Sequence, residues 1–403
     1  MLAINDDAVL QLNRVACIAS KLCSHRLPWL SQYLHGPTGL HWLPQVFLRA
    51  LALIMAGAVL RGDEDLLTGR WVGLVMLAGV LSGCGSGDSL ERFDGPTMGS
   101  HYSIQYVRHT AGPDPKTVQA EVENILAEVD RQFSTYRSDS DIERFNASPA
   151  NSCQPMPGPV LELIRVGEQL SAQSDGSFDL TVEPLLNLWG FGPQSRAEKV
   201  PTAEALTLVR QRVGHGHLRI DDDRLCKDAA VEVDFNSIAA GYAVDRIAAR
   251  LQALGIDSYL AEATGELKAV GRKPDGSAWR IALEEPRDDR QVAERVIEVN
   301  GYGVSTSGDY RRYFEQDGVR YSHAFDARTG APVLHNLASV TVIHPSALMA
   351  DGLSTLLLIL GPERGWDYAQ KQGIGVFFVL RDGNRFVSRT NDAFERISGG
   401  KTQ

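Results

Sequence analysis

The sequence predicts one substantial domain that mixes helices and strands. Two observations lead there. Stretches with the two-residue alternation of strands recur along the chain, and stretches with helical spacing follow them. The 403 residues are 43% hydrophobic, which is enough to fill a real core. That length admits two domains or one large one. The formal net charge of -10, spread without blocks, argues against a nucleic-acid surface. Cysteines 17, 23, 84, 153 and 226 show no CxxC or zinc spacing, so a cysteine-based metal site is not expected.

Residues 1–69 read as an N-terminal extension, long enough to suggest a start codon assigned too early or an untypical n-region. Residues 70–83 read as a lipoprotein signal segment. Arg70 precedes the apolar run Trp71–Leu81, and Leu81-Ser82-Gly83-Cys84 supplies small residues before a cysteine. Cys84 is then the lipidated first residue of the mature chain. Residues 84–92 read as a flexible tether, and the folded domain as 93–403. This arrangement places the protein in the bacterial cell envelope, as an inner-membrane lipoprotein facing the periplasm.

Within the domain, Phe93–Val107 ends in strand-like alternation at Tyr102, Ile104 and Tyr106. Lys116–Gln132 repeats apolar residues at Val118, Val122, Ile125, Leu126 and Val129, the period of a helix. Val160–Ser174 is a second amphipathic helix. Ala229–Phe235 reads as a strand leading into a helix over Ser237–Leu254, with Gly255 as its stop. Tyr259–Val270 and Trp279–Glu284 read as strands. Tyr310–Glu315 and Arg320–Phe325 form a hairpin about Gln316-Asp317-Gly318. Ala338–Ile343 is a strand, and Ser346–Leu360 a helix closed by Gly361.

The densest chemistry lies between Val304 and Gly330. Ser305, Thr306 and Ser307 offer hydroxyls, Arg311 and Arg312 suit phosphate oxygens, and His323 stands near Asp326. Glycines beside aromatics between Asp175 and Gly192 permit close approach to a flat ligand. Asp234-Phe235-Asn236-Ser237 sits where a helix begins, a place that suits phosphate. Asp351 is mid-helix beside an apolar run, with Thr355 one turn on. A carboxylate in that setting is costly unless paired with an arginine or bound to a metal.

These blocks occur in an order that resembles the ApbE family, the FAD:protein FMN transferases. The match runs from Phe93 to Gly361. It includes Thr97-Met98-Gly99, Ser134-Thr135-Tyr136, Phe178-Asp179 through Leu188-Trp189-Gly190, Thr306-Ser307-Gly308-Asp309-Tyr310 and Ala350-Asp351. The resemblance implies an α+β, T-fold-like domain. It implies a transferase that cleaves FAD with Mg2+, releases AMP and attaches FMN covalently to a threonine or serine of a partner protein. Acceptors would be flavoprotein subunits of membrane redox complexes. By resemblance, Met98, Tyr136, Ser177, Phe178, Asp179, Asp234, Ala240 and His323 contact the flavin nucleotide. Ser237, Asp351 and Thr355 hold the metal, and His323 and Asp351 serve the chemistry. Ala240 stands where relatives commonly carry a charged residue, and Thr264 stands where they carry glycine. Two alternatives remain open: an FAD pyrophosphatase giving FMN and AMP, and a periplasmic flavin-binding lipoprotein without turnover.

Overall fold

A computed structural model describes residues 2–3, 87–195 and 197–399. The segments expected to be the N-terminal extension and the signal, with Cys84, lie outside the described residues except for Leu2–Ala3. No helix among the described residues is long and apolar enough to cross a membrane.

In chain order, the domain opens with the hairpin β1 (Ser89–Thr97) and β2 (Ser100–Arg108), then helices α1 (Pro115–Phe133) and α2 (Asp141–Asn146). Strand β3 (Ser152–Pro155) leads to α3 (Gly158–Gln173), α4 (Glu183–Trp189) and α5 (Ala203–Val209). Strands β4 (Leu218–Asp221) and β5 (Arg224–Lys227) precede α6 (Ala239–Ala253). Next come β6 (Tyr259–Ala263), β7 (Glu266–Val270), β8 (Arg280–Glu284), β9 (Ala293–Glu298) and β10 (Tyr302–Gly308). The hairpin β11 (Tyr313–Gln316) and β12 (Val319–Ser322) is followed by β13 (Phe325–Asp326), β14 (Ala331–Pro332) and β15 (Leu337–His344). The chain ends with α7 (Ala347–Gln372), β16 (Gly375–Asp382), β17 (Arg385–Thr390) and α8 (Asp392–Ile397).

Eight strands form one antiparallel sheet in the order β17-β16-β15-β10-β7-β6-β2-β1. Alternation gives it two apolar faces. Tyr102, Ile104, Ala261, Val340, Val342 and Phe378 meet α1, α3, α6 and α7 in the larger core. Leu260, Leu267, Val304, Phe377 and Val379 turn the other way, onto Trp279, Ile281 of β8 and Phe394 of α8. Most helices gather on one face of an antiparallel sheet, which is the α+β arrangement.

Several expected boundaries shift for physical reasons. Phe93–Val107 is two strands, because Met98 and Gly99 turn with φ of 44° and 72°. Ser89–Arg92, expected in the tether, belong to β1. Tyr259–Val270 is likewise a hairpin, turned by Thr264 and Gly265 at φ 55° and 108°. A threonine in the left-handed region is uncommon. Here its N–H bonds His101 O at 2.9 Å and its hydroxyl donates to Glu266 Oε2 at 3.1 Å. Ala229–Phe235 is not a strand. Val233 instead exchanges its N–H and C=O with the side-chain amide of Asn146, at 2.8 and 3.0 Å.

Helix α7 continues past Gly361 only across a break. Gly361 has φ 82° and ψ -174°, and Pro362 follows it. Proline has no N–H to offer the carbonyl of Leu358, four residues earlier. His335 Nε2 donates to that carbonyl at 2.8 Å, while its Nδ1 accepts Leu337 N–H at 3.3 Å, which fixes the ring's tautomer. Cys153 on β3 and Cys226 on β5 face each other across the ladder and form a disulfide.

The crossing of α6 and α7 leaves no room for a side chain. A Cβ on Gly241 would lie 2.3 Å from Ala347 O and 2.7 Å from Asp351 Cβ. Gly241→Ala should therefore destabilise the domain by about 1–3 kcal/mol, read as a drop in the denaturation midpoint. An unchanged midpoint would show that the helices part freely.

Candidate active site

A cavity of about 340 Å3 opens between the C-terminal end of β10, the first half of α7, the loop before α6 and the segment around Phe178. Its wall includes Phe178, Asp179, Asp234, Asn236, Ser237, Glu266, Ser307, Arg312, His323, Asp351 and Thr355. Residues far apart in sequence meet here, some carried on the central strands of the sheet and some on the loops around Phe178 and Asp234.

The side chains on β10 alternate, so Ser305 and Ser307 face α7. Ser307 Oγ lies 2.8 Å from Ser354 Oγ and 3.0 Å from Thr355 Oγ1, and Ser305 Oγ is 3.0 Å from Ser354 Oγ. These hydroxyls line the approach to Asp351, which is buried. Asp351 is too deep in α7 to cap its own helix. It instead accepts the N–H of Gly241 at 2.9 Å, near the start of α6. A carboxylate thus satisfies one of the free donors at a neighbouring helix's N-terminus. Among the described residues no arginine pairs with Asp351, the alternative expectation.

Glu266 on β7 points into the same space. Burial pushes its carboxyl up to about 7. Burial, and then the charge of Glu266, push Asp351 well above the usual carboxylate range. Two desolvated carboxyls side by side favour either protons or a cation. The donors present, carboxylate and hydroxyl oxygens, are those of a hard divalent ion such as Mg2+.

On the facing wall, Asp179 is held rigidly. Its Oδ1 accepts from Thr181 N and Oγ1 at 2.8 and 2.7 Å, and its Oδ2 accepts from His215 N at 2.7 Å. Asp234 accepts Asn236 N at 2.6 Å and Nδ2 at 2.9 Å, and burial raises its carboxyl to about 6. His323 Nδ1 bonds the carbonyl of Arg312 at 3.2 Å. Nδ1 is therefore the protonated nitrogen, and Nε2 keeps its lone pair. Burial lowers the ring's pKa, so it stays neutral at pH 7.

The structure thus brings Phe178, Asp179, Asp234, Ser237, His323, Asp351 and Thr355 into one cavity. It does not bring four others there. Met98 is a turn residue between β1 and β2, packed against the core. Tyr136 is 62% exposed, following α1. Ser177 is buried beside the wall with its hydroxyl unpaired, and Ala240 lies on α6 outside the lining. Glu266 joins them without having been expected, beside Ser307 and Asn236 from the stretches read as hydroxyl-rich and phosphate-suited. Glu266 had a signal: it ends the Thr264-Gly265-Glu266 turn, and its face follows from Leu267 packing the opposite way.

Glu266 also sets a pH dependence. The folded state holds its proton more tightly than the unfolded chain does. The resulting stabilisation is complete below about pH 4 and drains away as the pH rises through about 7. Without divalent ions, the wild type should lose about 2–3 kcal/mol relative to Glu266→Gln between acid and mildly alkaline pH. Thermal melts across that range test this, and parallel curves for the two proteins would exclude Glu266 as the source.

The sequence profile of the ApbE family matches residues 98–378. The chain is 41% identical over 325 residues to the FAD:protein FMN transferase of Vibrio cholerae, covering 80% of this chain and 97% of that one. It is 35% identical over 310 residues to the enzyme of the same name from Escherichia coli K12, covering 75% and 87%. Among solved structures, it is similar to the apo form of the Pseudomonas stutzeri flavinyl transferase ApbE. The identity there is 58% and the TM-score 0.74, covering 78% of this chain and 99% of that one. On sequence and fold together, the chain belongs to the ApbE family.

Proposed function

We propose that the protein is an FAD:protein FMN transferase. It binds FAD, breaks the pyrophosphate, releases AMP and leaves FMN esterified to a threonine or serine of an acceptor protein. The acceptor oxygen forms a bond to the FMN phosphorus as the bond from that phosphorus to the AMP oxygen breaks. The hydroxyl proton goes to His323 Nε2, which is free to accept it because Nδ1 is committed to Arg312 O. That neutral, oriented histidine, sharing one cavity with a buried carboxyl pair, is the observation that carries the reading.

Asp351 and Glu266, with Thr355 and Ser237, would hold Mg2+, whose charge offsets that of the pyrophosphate oxygens. Arg312 lines the same cavity, with its guanidinium bonded to Phe191 O at 2.8 Å. It supplies positive charge where phosphates would lie. Phe178 offers an apolar face to the flavin.

We further propose attachment to the envelope membrane through a lipid on Cys84, with acceptors among membrane redox subunits. The Cys153–Cys226 disulfide supports an oxidising compartment.

Incubation with FAD, Mg2+ and an acceptor protein tests the activity. Transfer yields AMP and a fluorescent acceptor band. AMP with free FMN would mean that water is the acceptor, and intact FAD would mean binding only. His323→Asn should lower AMP release about 10²–10⁴-fold while FAD still binds. Asp351→Asn should abolish the magnesium dependence. The asparagine oxygen can still accept the Gly241 N–H, so the fold should be spared. Either variant turning over at the wild-type rate removes that residue from the mechanism. For anchoring, Cys84→Ser should abolish metabolic acyl labelling, and equal labelling of the mutant refutes it.

A further inference from the structure

Asp234 reaches the cavity wall from a segment without strand neighbours among the described residues. Its Asp234 N–H donates to Leu180 O at 2.8 Å, and the residue before it is held by a side chain. Asn146, the last residue of α2, takes the place of an adjacent strand by pairing with both backbone groups of Val233. The same amide nitrogen lies 3.1 Å from Glu183 Oε2 and 3.0 Å from Glu143 Oε1, so its two hydrogens are shared among these carboxyls and Val233 O. Glu183 opens α4 and has no exposed surface, and its Oε1 has no hydrogen-bond partner. Glutamate at the head of a short helix would ordinarily sit in water as a carboxylate. Here the titratable groups around it are Asp234, Glu143 and Glu232, all carboxyls. Glu232 pairs with Arg212, and among the described residues no cation pairs with Glu183.

We propose that Glu183 is a positioning residue for FAD: through Asn146 it fixes the backbone at Val233, and with it the place of Asp234 on the cavity wall. The proposal rests on the reading of this cavity as the FAD site. Burial and the surrounding carboxyls push Glu183 up to about 9, so it holds a proton at pH 7. Ionisation above that pH places a buried negative charge beside Asp234 and disturbs the clamp. The uncharged acid is therefore the working form, and glutamine reproduces its shape and its neutrality.

The experiment measures FAD binding and steady-state KM and kcat for the full chain with Mg2+, from pH 7 to 10. Glu183→Gln should match the wild type at pH 7, and its KM for FAD should stay flat where the wild-type KM rises above about pH 9. Glu183→Ala should raise KM about tenfold with kcat unchanged, since the clamp positions a binding group and not the reacting atoms. Should Glu183→Ala fail to fold, the glutamine comparison still decides. Glu183→Gln raising KM at pH 7 as much as Glu183→Ala, or keeping the wild-type alkaline rise, overturns the proposal alone. Absence of FAD binding by the wild type overturns both this and the functional reading.

Discussion

The place where α6 crosses α7 governs the rest of the site. Gly241 lets the backbones touch, and that contact brings its N–H within 2.9 Å of Asp351. One carboxylate therefore has two tasks. It satisfies a helix terminus, and it presents charge to a cavity shared with Glu266. A larger residue at 241 would separate the helices and leave Asp351 buried with neither partner. Structural and chemical constraints fall on the same atoms, so changes at this crossing have effects on both stability and chemistry.

The sheet explains how distant residues converge. β7 carries Glu266, β10 carries Ser305 and Ser307, and α7 packs directly over them. The opposite wall, with Asp179 and Asp234, is built without a ladder. Carboxylates there accept backbone N–H groups two residues on, and an asparagine amide imitates a strand edge. One half of the cavity is framed by sheet ladders, and the other by side chains and single main-chain bonds such as Asp234 N–H to Leu180 O. Asp179 and Asp234 on the second wall are committed to partners before a ligand arrives, which reduces the ordering needed on binding.

Much of this was legible in the sequence. The helices at Pro115–Phe133 and Gly158–Gln173 and the hairpin about Asp317-Gly318 follow from periodicity and turn residues alone. The motif order pointed to Phe178, Asp179, Asp234, His323 and Asp351, which the fold gathers together. What was not legible depended on partners far away in sequence. Ala229–Phe235 has the alternation of a strand, but its neighbour is a side chain 87 residues earlier. Thr264 breaks an apparent long strand because a left-handed threonine is a rare choice for a turn. Met98 and Tyr136 carry family motifs but their surroundings are a turn and open solvent, and motif spacing does not report orientation.

The disulfide between β3 and β5 joins positions 73 residues apart. The loop it closes holds α3, α4 and α5, and with them Phe178, Asp179 and Glu183. That loop includes the irregular stretch between α4 and α5. A protease cutting there would give two fragments that still travel as one molecule under oxidising conditions and separate only in a reducing denaturant. The bond thus makes the integrity of this wall of the cavity depend less on an unbroken main chain.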